Sequence, residues 1–278
     1  MLTLITATLN AARYIEQAFA SVPPKCGIQH IVIDGGSVDA TIEISRAQKT
    51  VETVEAPGCS IYEAWNIGIE RSRGEWIMLL NADDELGDDV LETISGASAK
   101  HAEAEIIAGQ ALMIDRDAPE APPLVLSAAP GGQLDVEQLA LGVPAINAMA
   151  FRRSLFERHG GFDPTYRIAG DRAFLLRLAI HSPAVAVTRA DGVLYRYYSH
   201  AGSLTLKRSF EQRLRIARDH LLLTRDLLAQ RPIGQTACLL RYWRRREAVV
   251  AALRCAAAGK PAEALHFVGQ MLVRRNTH

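Results

Sequence analysis

Residues 75–89 read EWIMLLNADDELGDD. Five apolar residues, Trp76 to Leu80, run straight into Asp83, Asp84, Glu85, Asp88 and Asp89. Carboxylates this close repel one another unless a cation, a helix N-terminus or solvent relieves them. Asp83 and Asp84 at the end of a buried strand suit a hard divalent ion such as Mg²⁺ or Mn²⁺, whose remaining positions phosphate oxygens would fill. A plain turn explains the same pair equally well. Asp88 and Asp89 read as the start of the next helix, where acids meet the favourable end of the dipole.

Three further residues invite the same two-sided reading. Asp34 closes the run HIVID and precedes Gly-Gly-Ser, so it could accept from a ribose or base or simply form the turn. Asp171 follows a glycine at a helix start. It could cap that helix, or act as a general base on an attacking hydroxyl. His200 in YSHAGSLT is a loop histidine by position, but it could coordinate or hydrogen-bond a metal-diphosphate.

Elements that could position these residues follow from periodicity. LTLITA (2–7), HIVID (30–34), VETVEA (51–56) and EWIMLL (75–80) read as strands, with helices between them at 11–22, after the turn GGSVDAT (35–41) to about Gln48, and at 60–73. Asn10 stands where the first helix would be capped, and SIYE (60–63) has the form of a capping box. The alternation predicts βαβ units and a mostly parallel sheet, with ligands at the carboxyl ends of its strands. Beyond residue 95 the rhythm changes. EIIAGQALMI (105–114) and 147–153 read as strands, the Pro-rich 115–132 as a surface loop, and 154–160 and 171–182 as helices. From Ser209 onward the chain reads as helical, with breaks near 231–234 and 259–261.

The whole chain limits the choices. It has 278 residues, 31 basic and 31 acidic side chains, and a formal net charge of zero, so no global field draws it to nucleic acid. Fifteen of the basic but only five of the acidic residues follow residue 200, an acidic body with a basic tail. Four cysteines without metal-type spacing predict free thiols in a reducing compartment. The N-terminal segment is too soon polar for a secretory signal, and no apolar run reaches the roughly 20 residues that span a bilayer. No glycine-rich dinucleotide fingerprint follows the first strand.

Five segments occur in the order and spacing of a family 2 glycosyltransferase. They are TLITATLNAARYIEQAFASV, HIVIDGGSVDAT, SIYEAWNIGIERSRGEWIMLLNADDEL, FRRSLFERHGGFDPTYRIAGDRAFLLRLA and YRYYSHAGSLT. Over residues 2–205 the sequence resembles that family's bacterial subgroup acting in surface-polysaccharide or glycolipid assembly. The resemblance implies an α/β GT-A (nucleotide-diphospho-sugar transferase) fold: a mixed, mostly parallel sheet flanked by helices, over residues 1–205, with a helical C-terminal extension over 206–278. It implies nucleotide binding by Thr6, Ala7, Thr8, Asn10, Asp34, Asn66, Asn81 and Ala82, with a UDP-sugar favoured. It implies Mn²⁺ or Mg²⁺ held by Asp83, Asp84 and His200, and Asp171 as the base. The implied reaction is inverting transfer of a hexose-type sugar to a hydroxyl of a saccharide or lipid-linked acceptor, by a cytoplasmic enzyme.

The sequence departs from the family at several points. Asn81 replaces an acid, EAPGCS (55–60) replaces an acidic-Pro-Asp-Lys-Gly stretch, Ile67 replaces a lysine, and PAIN (144–147) replaces a segment that often carries His-Gln. These changes leave open a sugar-nucleotide-binding protein with weak or no transfer. A nucleotidyltransferase is disfavoured, because TATLNAAR is not a glycine-rich basic loop. In the tail, Arg241, Arg244, Arg245 and Arg246 interleave with Tyr242 and Trp243. A basic amphipathic helix of this kind fits peripheral contact with the inner face of a membrane, or packing on the domain, or a homodimer.

Overall fold

A computed structural model describes residues 1–24, 27–127, 132–200 and 209–271. The first half holds β1 (Leu2–Thr8), α1 (Ile15–Ala20), β2 (Ile28–Asp34), α2 (Thr41–Ala47), β3 (Val51–Glu55), α3 (Ile61–Arg71) and β4 (Trp76–Leu79). β1 pairs in parallel with β2 on one side and β4 on the other, and β3 adds in parallel beyond β2. The register sets Thr8 beside Asp34 and Asp34 beside Glu55, so three strand ends lie in one row. Burial explains the apolar runs: Leu4, Ile5, Ile31, Val32, Ile33, Ile77, Met78 and Leu79 are all fully buried. A parallel sheet covered on both faces needs such runs.

After the acidic motif come β5 (Glu85–Leu86), α4 (Val90–Lys100), β6 (Ile106–Asp115), β7 (Leu124–Ser127), α5 (Val136–Leu141), β8 (Met149–Arg152), α6 (Arg153–His159), α7 (Gly170–His181) and β9 (Val187–Ser199). β8 joins β4 antiparallel, and the sheet then runs through β6 and β9 to β5. Three helices close the chain: α8 (Phe210–Ala229), α9 (Gly234–Ala257) and α10 (Pro261–Met271). Leu223 and Leu227 of α8 and Leu240 and Trp243 of α9 belong to the main core, while Leu214, Ala251, Cys255 and Phe267 form a second core among the last helices.

Several expectations are corrected. The first helix starts at Ile15, and Asn10 does not cap it: Asn10 has φ 52°, and its Oδ1 accepts from the Val38 N–H. The surface loop at 115–132 contains β7, an edge strand on β6. A 3₁₀ turn, Ile146–Ala148, precedes β8, so that strand starts at Met149. Asp89 occupies the N-cap of α4 without a side-chain cap, while Asp88 pairs with Arg196 at 2.5 Å. The Ser60–Glu63 capping box is present in both directions. Cys59, Cys238 and Cys255 are free thiols, and Cys26 lies outside the described residues.

Candidate active site

The site is built where the parallel strands end. Asp34 is fully buried, and its own turn engages it: Oδ1 accepts from the N–H of Gly36 (2.9 Å) and Ser37 (2.7 Å), and Oδ2 from the Ser37 hydroxyl. Gly36 has φ 102°, a left-handed conformation that a side chain would strain. Asn10 ties the neighbouring loop to this turn, because its N–H donates to Ser37 Oγ. Thr6 faces the interior, 2.9 Å from His30 Nε2, and Ala82 is buried. Ala7 is partly accessible. Thr8 Oγ1 is buried and meets no protein hydrogen-bond partner among the described residues. A buried hydroxyl normally has one, so Thr8 is the residue in this row with an unused polar group.

The two adjacent acids face opposite ways. Asp83 is 34% exposed, and its Oδ2 lies 2.9 Å from His200 Nε2. Asp84 is turned into the protein, where Oδ2 accepts from Asn81 Nδ2 and the Tyr195 hydroxyl (both 2.9 Å) and Oδ1 from the Tyr198 N–H (2.8 Å). Burial first, then the Asp83 charge, raises the Asp84 pKa against the pull of these hydrogen bonds. Asp84 was expected as a metal ligand; here both its oxygens accept hydrogen bonds that hold the loop together. The Asn81 substitution has a physical reason too. Its amide donates to Asp84, whereas an acid there would add a third carboxylate.

Asn66, expected at the nucleotide, is engaged within the protein. Its Nδ2 donates to Phe162 O and its Oδ1 accepts from Phe162 N, each at 2.8 Å, so both polar atoms brace the chain after α6.

His200 rests against an aromatic ring. The Tyr14 ring meets His200 tilted by 34°, with centroids 4.7 Å apart. Arg116 lies between Tyr14 (4.8 Å) and Tyr198 (4.2 Å) and donates to the Asp83 carbonyl (2.9 Å) and Gln17 Oε1 (2.8 Å). Tyr198 OH in turn donates to Glu85. Sequence reasoning missed Arg116, Tyr14, Tyr195, Tyr197 and Asn147. The available signal was an arginine directly after a long strand and the YRYYS run, which alternates toward the same strand ends.

Asp171 lies in the first turn of α7, inside the helix rather than at its cap, which is Ala169. Its Oδ1 accepts from the Arg172 N–H (2.7 Å). The residue keeps partial accessibility, yet protein crowding around the carboxylate raises its pKa, with Arg172 and His220 opposing. Gly170 is required here, because a Cβ would stand 2.6 Å from the Tyr62 ring. Tyr197, on β9, is partly buried. Its pKa is raised by its surroundings first and then by the charges of Asp84 and Asp171. Tyr197 donates to Asn147 Oδ1 (3.1 Å), and Asn147 Nδ2 reaches Leu79 O (3.1 Å) and Tyr195 OH (3.3 Å).

Among the described residues no group of three or more His, Cys, Asp or Glu side chains is arranged to hold a metal. Asp83 and His200 remain as one oxygen and one nitrogen donor. That set fits a divalent ion only half held by protein. No helix among the described residues is long and apolar enough to cross a membrane.

Comparison with known proteins agrees with this architecture. The "PGL/p-HBAD biosynthesis glycosyltransferase" of Mycobacterium tuberculosis is 27% identical over 214 residues, 74% of this chain and 79% of that one. An uncharacterized glycosyltransferase of the same species is 27% identical over 194 residues, 66% of this chain and 71% of that one. Among solved structures, S. aureus TarS 1–349 in complex with UDP-GlcNAc superposes with TM-score 0.67 at 15% identity, over 97% of this chain and 81% of that one. The mannosyltransferase PcManGT of Pyrobaculum calidifontis, in complex with GDP-Man and Mn²⁺, gives TM-score 0.60 at 17% identity, over 99% and 81%. These likenesses carry the GT-A fold. Residues 3–160, more than half the chain, match the description "Glycosyl transferase family 2", and the protein belongs to that family of glycosyltransferases.

Proposed function

We propose that the enzyme is a divalent-metal-dependent, inverting glycosyltransferase that moves a hexose from a UDP-sugar to a hydroxyl of a saccharide or lipid-linked acceptor in bacterial polysaccharide or glycolipid assembly. The observation that carries this reading is the pair Asp83–His200, joined in the same fold by a carboxylate at Asp171 whose pKa is raised. A UDP-sugar is favoured because TarS is described with UDP-GlcNAc and UDP. Glycolipid assembly is favoured because the mycobacterial relative is named for PGL biosynthesis.

Each residue then has a task. Thr8, with its unused hydroxyl, and the backbone around Asp34 receive the nucleoside. Asp83 and His200 would hold the ion, which when bound neutralises charge on the leaving diphosphate. Asp171, made more basic by its surroundings, takes the proton of the acceptor hydroxyl. The acceptor oxygen bonds to the anomeric carbon as the carbon–oxygen bond to the diphosphate breaks, and the electron pair leaves on the diphosphate. One displacement inverts the anomeric centre.

A thermal-shift screen of nucleotide sugars with and without Mn²⁺, followed by NMR of the product anomer, tests this. A donor that stabilises only with metal and a product of opposite anomeric configuration are expected. Retained configuration, or donor binding indifferent to Mn²⁺, contradicts the reading. Binding without any transfer favours the binding-protein alternative.

Peripheral membrane contact has one supporting observation of its own. Tyr242, Val249 and Leu253 are exposed on α9 at helical spacing, beside exposed Arg241, Arg245 and Arg246, while Glu247 and Glu263 are engaged by His220, Arg218 and Lys260. Arg244, expected on this basic face, is buried and donates to Leu221 O, Thr224 and Gln270 instead. Sedimentation with anionic vesicles at low and high salt tests it: salt-sensitive binding is expected. Absence of binding, or a concentration-dependent dimer through the same face, removes it.

A further inference from the structure

We propose that Asp219, on the first of the C-terminal helices, is the positioning residue for Asp171, so that the C-terminal segment completes the active site. This inference rests on the reading of Asp171 as the base. Helix α7, which carries Asp171, begins without a cap of its own. Its N-cap is Ala169, which offers no side-chain acceptor. Free N–H groups at a helix start need one. Asp219, on another element, fixes the entry to the helix instead: its Oδ2 accepts the N–H of the N-cap residue Ala169 (2.8 Å) and of Ile168 before it (2.7 Å). The Ile168 peptide is gripped on its other side by the Tyr62 hydroxyl, which donates to the Ile168 carbonyl at 2.7 Å.

The holding residue is itself rigid. Asp219 lies in the middle of α8, whose Leu221, Leu223 and Leu227 are buried. Arg244 from α9 locks the same stretch by donating to Leu221 O. Asp226, two turns further along α8 and so on the same face, accepts from the Tyr166 hydroxyl at 3.1 Å. The segment leading into α7 is thereby pinned to α8 at residues 166, 168 and 169, immediately before the base. A shift of a catalytic group by about 1 Å costs on the order of 100-fold in rate, and Asp219 is the contact nearest to Asp171 in this set.

The test compares Asp219→Ala, Asp219→Asn and Asp226→Asn with the wild type and Asp171→Asn in the full chain, reading kcat, donor KM and Tm. Asp219→Ala is expected to lower kcat by about 10-fold or more while donor KM stays within about two-fold. Asp219→Asn keeps an acceptor oxygen and should recover most of that kcat. Asp226→Asn, which loosens the same helix face further from the base, should lower Tm while leaving kcat near wild type. Wild-type kcat in Asp219→Ala, with Asp171→Asn inactive, overturns the inference and leaves the base assignment standing. Parallel losses of kcat and Tm in Asp219→Ala and Asp226→Asn also overturn it. Full transfer by Asp171→Asn overturns the base assignment itself, and the positioning role with it. Should Asp219→Ala fail to fold, Asp219→Glu decides, because it displaces the acceptor by one methylene. Reduced kcat at unchanged donor KM supports the inference there, and wild-type kcat overturns it.

Discussion

Replacing Asp83 and Asp84 separately by alanine should give opposite phenotypes, although the two residues are adjacent and chemically identical. Asp84→Ala leaves three donors without their acceptor: the buried Tyr195 hydroxyl and the half-buried Asn81 Nδ2 and Tyr198 N–H. Each unsatisfied donor costs about 1–3 kcal/mol. Removing a desolvated carboxylate next to Asp83 gives part of that back, so a net loss of about 3 kcal/mol is expected. For a chain of this size that lowers Tm by about 6–12 °C. Asp83 makes a partly exposed pair with His200. Such pairs contribute at most about 1 kcal/mol, so Asp83→Ala should lower Tm by less than about 4 °C. Its transfer activity should nevertheless collapse. Calorimetry and a donor-turnover assay on both variants decide the matter. A wild-type Tm for Asp84→Ala, or full activity for Asp83→Ala, refutes the division of labour between the two acids.

Two further outcomes are expected. Burial holds the His30 pKa at about 4, below its ordinary 6.5, so the unfolded chain takes up the proton first as pH falls. Stability present above pH 6.5 should decline by up to about 3 kcal/mol between pH 6.5 and 4, and urea titrations of His30→Gln should show a flatter pH dependence. Arg116→Ala removes the donor to the Asp83 carbonyl and the stack between Tyr14 and Tyr198. It should raise the Mn²⁺ concentration needed for UDP-dependent thermal stabilisation, and Arg116→Lys should restore only part of the effect, because lysine lacks the planar fork.

The residues show why the strands were legible and the site only partly so. β1, β2 and β4 announce themselves because a parallel sheet covered on both faces demands unbroken apolar runs. β7 is hidden in a Pro-rich stretch, since a partly exposed edge strand needs neither burial nor a long pattern. Asp83 and Asp84 are indistinguishable in the sequence. Their opposite directions are set by Tyr195 and Tyr198, more than 110 residues away. Asn66 engages Phe162, 96 residues on, through both of its polar atoms, a pairing the sequence does not announce. Arg116 offered no periodic signal, because its role comes from two rings contributed by α1's entry loop and β9. The helical reading of the C-terminal segment needed only spacing and the breaks at 231–234 and 259–261. Its contact through Asp219 with Ile168 and Ala169 depends on packing that periodicity does not encode.

The central claim is that Asp171 activates the acceptor while the rest of the site binds the donor. Asp171→Asn tests it directly, because it keeps the size of the side chain and removes its basicity. With the donor identified by thermal shift, binding to Asp171→Asn should match the wild type and transfer should fall by about 100-fold or more. Wild-type transfer by Asp171→Asn would contradict the account.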